Sequence, residues 1–129
     1  MAMKFREPNM TKWRGVRPGH NGIQVAKYNY AINATTIIHT VTDEKTFFLT
    51  TLTLSIEVPA AGYSYMFVRD AGDVVAYFLG FIQCSATSAA GPLAVTFNPP
   101  LEIPEKYDIC IRSTVAVLEV AGFVHGWEE

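Results

Sequence analysis

The chain is a succession of short β-branched and aromatic runs, each cut off by a turn signal before a helical period can develop. "TFFLTTLTLSIEV" at 46–58 shows the pattern best. Phe48, Leu52, Leu54 and Ile56 share one parity, while Thr51, Thr53 and Ser55 take the other. Such alternation sets one face on a core and the other toward water. The punctuation is chemically explicit: "DEK" at 43–45, "PAAG" at 59–62 and "DAGD" at 70–73. Asp folds its side chain onto nearby backbone, Gly supplies positive φ and Pro fixes φ, so each stretch turns the chain. Strands at this spacing predict an all-β fold, a single antiparallel β-sandwich.

The predicted strands are 22–33, 35–42, 46–58, 63–69, 74–84, 92–97, 107–113 and a closing segment within 115–129, about eight in all. Tyr63, Tyr65 and Phe67 fall on one face of the fourth. Leu93, Val95 and Phe97, then Ile109 and Ile111, then Leu118, Val120 and Val124 are expected to point inward. Asp108, Cys110 and Arg112 take the opposite face. "VVAYFLGFIQC" at 74–84 is apolar on both faces. It is either a central strand covered on both sides or a strand facing a partner subunit. Gly80 within it suggests a bulge or a close backbone approach. "NPPLEIP" at 98–104 is too rich in proline for a central strand and reads as an edge or a crossover.

Half of the 129 residues are hydrophobic and 17% are charged, enough apolar side chain for one core without disulfides. The formal charge of −2 does not suggest a nucleic-acid partner, and no apolar run approaches the length of a membrane span. "MAMKFREPNM" lacks the apolar centre of a signal peptide, which points to synthesis and assembly in a cytoplasm.

Sites for chemistry are missing from the sequence pattern. His20, His39 and His125 stand apart with no HxH or HExxH spacing, so no metal is expected. Cys84 and Cys110 form no CxxC and read as two small buried thiols. Ser85, Thr87 and Ser88 have no base beside them, and a hydroxyl without its base is a poor nucleophile. No phosphate-binding or dinucleotide-binding glycine pattern is present. The expectation is a protein with no catalytic residues and no cofactor.

The charge is unevenly placed. Residues 1–22 hold five basic side chains and one acid, while the remaining chain holds five basic and eleven acidic ones. "KWRGVRPGHNG" at 12–22 concentrates this in Lys12, Arg14 and Arg17, with Trp13 among them. Residues 1–22 are therefore read as an extended basic arm and 23–129 as the sandwich domain. A basic arm on an acidic body suits docking on a neighbouring subunit. Ordering it costs on the order of 1–2 kcal/mol per residue, so it orders only where it gains contacts. Tyr28, Tyr30 and Trp127 are expected as exposed rings, able to stack on a glycan or to anchor an interface.

Several stretches together resemble a known family. "VTDEKTFFLTTLTLS" looks like the "VPAGKTFYLTxxxLS" hairpin of small β-sandwich proteins encoded in the structural modules of tailed phages and prophages. "MFVRDAGDVVAYF" is similar to their "VRDGxGxVVxxF" hairpin. "VTFNPPLEIPEKYDICIRST" resembles their "xxFxPPLxIPxGxDIxVxSS" segment, and "VAGFVHGWEE" their closing "VxGFxHGxEE". The resemblance covers roughly residues 37–129 and rests on order and spacing. One turn departs: the usual "PAGK" is here "TDEK" at 42–45. The resemblance implies a jelly-roll-like sandwich built into a virion, either a capsid decoration protein or a tail, neck or fibre component. It implies no catalytic residues. A homo-oligomer, most simply cyclic and with a trimer favoured, is expected because it would cover the apolar surface of 74–84. The implied partners are the major capsid protein or other virion proteins, and the implied place is the virion, assembled in the host cytoplasm.

Overall fold

The structure, a computed structural model, describes residues 22–85, 92–115 and 118–129. It is all-β among these residues, with eight strands: β1 (Ile23–Ile32), β2 (Thr35–Thr40), β3 (Phe47–Val58), β4 (Gly62–Arg69), β5 (Val75–Cys84), β6 (Leu93–Ile103), β7 (Asp108–Ser113) and β8 (Glu119–Glu128). They form two four-stranded antiparallel sheets, β1-β8-β3-β6 and β2-β7-β4-β5. Strand β1 pairs with β8, β2 with β7, β3 with β6 and β4 with β5. This nesting is that of one long hairpin rolled up on itself, closed by the β3–β8 and β4–β7 ladders. It is the jelly-roll arrangement of a sandwich.

The turns do what their residues predict. Between β4 and β5 the Asp70 carboxylate accepts hydrogen bonds from the backbone N–H of Gly72 (2.8 Å) and Val74 (3.0 Å). Asp73 there has φ 64°, a left-handed conformation that Asp tolerates better than most residues. At 42–45 the N–H of Lys45 closes on the Thr42 carbonyl at 3.0 Å.

The core lies between the sheets. Leu52, Leu54, Met66, Ile109, Ile111 and Val120 are completely buried there. Each such side chain contributes roughly 1.5–3 kcal/mol relative to exposure. Leu118 and Val124 are buried as expected, and Leu93, Val95 and Phe97 pack on the core from the β6 edge.

One local expectation changes and two are narrowed. The register of β3 shifts at Thr50, so Phe47 and Leu49 face inward before it and Leu52, Leu54 and Ile56 after it. Phe48 therefore lies on the outward face, opposite Trp127 of β8, and does not share the face of Leu52. One extra residue in a strand reverses the alternation that follows it. Of the two readings of the proline-rich stretch, the structure shows the edge and not the crossover. The stretch is the second half of β6, an edge strand whose pairing with β3 jumps from Thr96 to Leu101. Pro99 and Pro100 fall in that jump, where no N–H is asked of them. Finally, β5 is not a covered central strand. It lies at the edge of its sheet and pairs only with β4 among the described residues.

Candidate functional site

The outward face of β4 and β5 is built of rings. On β4 the inward set is Ser64, Met66 and Val68, which leaves Tyr63, Tyr65 and Phe67 outward. The ladder sets Tyr65 opposite Phe81 and Phe67 opposite Phe78. Tyr65 meets Phe78 edge-on at 5.5 Å, and Tyr63 meets Phe81 edge-on at 6.0 Å. Tyr65 and Phe67 lie 5.5 Å apart, tilted. Such pairs add about 0.5–1.5 kcal/mol beyond area burial, and they hold the cluster in one arrangement. Phe78 is nonetheless 66% exposed and Phe81 61%. A shallow pocket of about 530 Å³ opens between Tyr63, Tyr65, Phe78, Leu79, Gly80 and Phe81.

One end of this face is polar and internally neutralised. Arg69 Nε donates to Asp108 Oδ2 at 3.1 Å and lies 3.4 Å from Asp73 Oδ1. Thr40 Oγ1 donates to the other Asp108 oxygen at 2.6 Å. Between that end and the rings lies Cys110, which packs outward yet is fully buried. Burial pushes its thiol up to about 11, with Asp108 and Asp73 reinforcing the shift against Arg69. Cys84 is a second buried thiol. A thiolate is the reactive form, so the native protein is expected to react only slowly with a thiol reagent such as dithionitrobenzoate. Two thiols should titrate after denaturation. Rapid labelling of Cys110 in the folded protein would contradict its placement.

The residues expected to carry function are dispersed. Lys12, Trp13, Arg14 and Arg17 lie outside the described residues. Tyr28 and Tyr30 are exposed on β1 and meet edge-on at 5.8 Å, on the sheet opposite the ring face. Trp127, expected as an exposed ring, is instead 1% exposed, stacked on Phe48 at 5.2 Å, and its Nε1 donates to Glu129 at 3.2 Å. Register explains it, because the shift at Thr50 delivers Phe48 to the position facing Trp127. A ring held this way offers no surface to a glycan. His39 pairs with Glu128, and His125 with Thr50, so both are engaged within the fold. Among the described residues no group of three or more His, Cys, Asp or Glu is placed to hold a metal ion.

The sequence pattern alone does not single out Tyr63, Tyr65, Phe78 and Phe81 as a site. The signal it does carry is the strand that is apolar on both faces, combined with the shared parity of Tyr63, Tyr65 and Phe67.

No protein-family model matches the chain, and no curated protein matches it. Among solved structures it is similar to a chain from the disulfide-linked pili that form Bacillus endospore appendages. The identity is 14% and the TM-score 0.40, over 83% of this chain and 84% of that one.

Proposed function

We propose that this chain is a non-enzymatic structural protein of a tailed-phage virion, a capsid decoration protein that associates with copies of itself and docks on the major capsid protein or another virion protein. The observation that carries the assembly part is the exposed ring face of β4 and β5, since monomeric domains rarely leave so large an apolar patch bare. The phage part is supported by the ordered likeness of the turn and strand motifs from residue 37 onward. In this reading Lys12, Trp13, Arg14 and Arg17 belong to an arm that contacts a neighbour, the chain forms a homo-oligomer, and the protein resides in the virion after assembly in the host cytoplasm. Gold labelling of purified particles with an antibody to residues 23–129, viewed by electron microscopy, tests it. Label over the head is the expected result. Label confined to tail, neck or fibres would make the chain a component there, and particles without label would sink the virion reading.

A second reading has its own observation. Tyr28 and Tyr30 present two exposed rings side by side on β1, a geometry that suits stacking on a sugar. A glycan array of the folded protein decides it. Binding that disappears in Tyr28→Ala and Tyr30→Ala would favour a carbohydrate-recognising module, and an array without hits would remove that reading.

A further inference from the structure

We infer that the outward face of β4 and β5 is the contact between two copies of this chain, packed ring face on ring face about a two-fold axis. This names the surface and symmetry for the self-association proposed above and rests on that reading.

Four observations lead to a second copy as the occupant. The first is size. An aromatic side chain offers about 200 Å². The exposed fractions of Phe78, Phe81, Tyr63 and Val75, with Ile37 further along the face, then amount to roughly 400–600 Å² per copy. That approaches the ~800 Å² per partner of a standard interface.

The second is charge. The domain from residue 23 onward carries eleven acids and five bases, so two copies repel unless they meet where carboxylates are absent or neutralised. The ring face is such a place. Strand β5 has no charged residue from Val75 to Cys84, and at the polar end Arg69 sits between Asp73 and Asp108.

The third is the edge itself. Exposed sheet edges are usually defended by charge, proline or shortness. Strand β1 carries Lys27, β6 carries Pro99, Pro100 and Glu102, and β2 has six residues. Strand β5 has ten residues and neither charge nor proline. Its register shifts near Ala76 and Leu79 bend it, which turns its rings outward and disfavours simple edge-to-edge extension. Packing face to face uses the rings and shields the edge.

The fourth is chemistry. A glycan needs several convergent polar groups, and among the six residues lining the pocket only Tyr63 and Tyr65 carry side-chain hydroxyls. An apolar patch is complementary to itself, and an isologous contact uses the same patch on both copies.

Such a contact is used up by two copies. It gives a dimer, or joins two trimers into a hexamer, and cannot by itself close a three-membered ring. Sedimentation equilibrium of the full chain across a wide concentration range tests it. An even number of copies is expected. Phe78→Glu combined with Phe81→Glu should weaken association roughly 100-fold or more, because a charge at the centre of a desolvated contact has no partner. Tyr28→Glu with Tyr30→Glu, on the other sheet, should leave it unchanged. Both rings are mostly exposed, so the double variant should keep a cooperative melt. If it does not, Phe81→Gln alone is read in its place and should also weaken association. The inference is overturned by a full chain that stays monomeric, by an odd number of copies, or by association that survives the ring variants. Loss on Lys12→Glu, Arg14→Glu and Arg17→Glu with no effect of the ring variants would also overturn it, in favour of the arm. Particle labelling reads the virion proposal separately. Unlabelled particles leave a ring-dependent dimer standing, and a monomeric chain on labelled heads removes only this contact.

Discussion

Gly126→Ala is expected to destabilise the fold by about 3 kcal/mol, which lowers the thermal midpoint by roughly 12 °C for a chain of this size. Strand β8 is the inner strand that joins β1 to β3, and Gly126 sits opposite Val25 on one side and Leu49 on the other. A Cβ at Gly126 would overlap the carbonyl oxygen of Phe48 and reach 3.0 Å from the Phe47 ring. The obstacle is backbone, fixed on both sides by the ladder, so it cannot rotate away as a side chain would. The register shift at Thr50 is what brings that carbonyl so close. Gly80→Ala is the control: its Cβ would meet chiefly the far end of the Leu93 side chain at 2.6 Å, which can move, so the cost should stay below about 1 kcal/mol. Differential scanning calorimetry of the two variants checks the pair. Equal midpoints would mean that β8 and β3 do not approach as described.

The same shift at Thr50 separates what the sequence shows from what it hides. Alternation within a strand is local, so the strands and most inward residues, from Leu52 and Leu54 to Ile109 and Ile111, are legible in the amino-acid pattern alone. A register shift is decided by pairing with distant strands, here β6 and β8, and the spelling of β3 carries no mark of it. Strict alternation therefore puts Phe48 on the wrong face, and it leaves Trp127, whose burial depends on Phe48, in the open. Strand β5 illustrates a different limit. Its composition shows that both faces are apolar, and that narrows the choice to a covered strand or an interface. Only the strand order, which sets it at an edge, removes the first of these. The candidate site follows from that placement: Phe78 and Phe81, three residues apart on β5, share one face with Tyr63, Tyr65 and Phe67 of β4 because the two strands pair with a shifted register.

The second large effect is expected at Glu128, where the two sheets are tied together by a buried carboxylate. Glu128 closes β8 in the first sheet. Its Oε2 lies 2.7 Å from His39 Nε2 of β2 in the second sheet and accepts the backbone N–H of Thr42 at 3.0 Å. The His39 ring packs edge-on against Phe47 at 5.1 Å, which holds it in place. Burial works against the charged form of Glu128, yet the hydrogen bonds from Thr42 and His39 outweigh it and hold the carboxyl below its ordinary value of 4.5. A carboxyl depressed by folding stabilises the native state above its unfolded pKa, and loses that contribution as pH falls through the folded value. Glu128→Ala removes both partners' acceptor and should cost about 3 kcal/mol near neutral pH. Glu128→Gln keeps the shape without the charge and should cost about 1.5–2 kcal/mol. The informative quantity is the difference between wild type and Glu128→Gln in urea unfolding at successive pH values. It should be full above about pH 5.5 and shrink steadily below the ordinary carboxyl value, because a protonated Glu128 and a glutamine then offer the same neutral group. A difference that stays constant down to strong acid would show that the carboxylate charge contributes nothing, and that the tie between the sheets is one of shape alone.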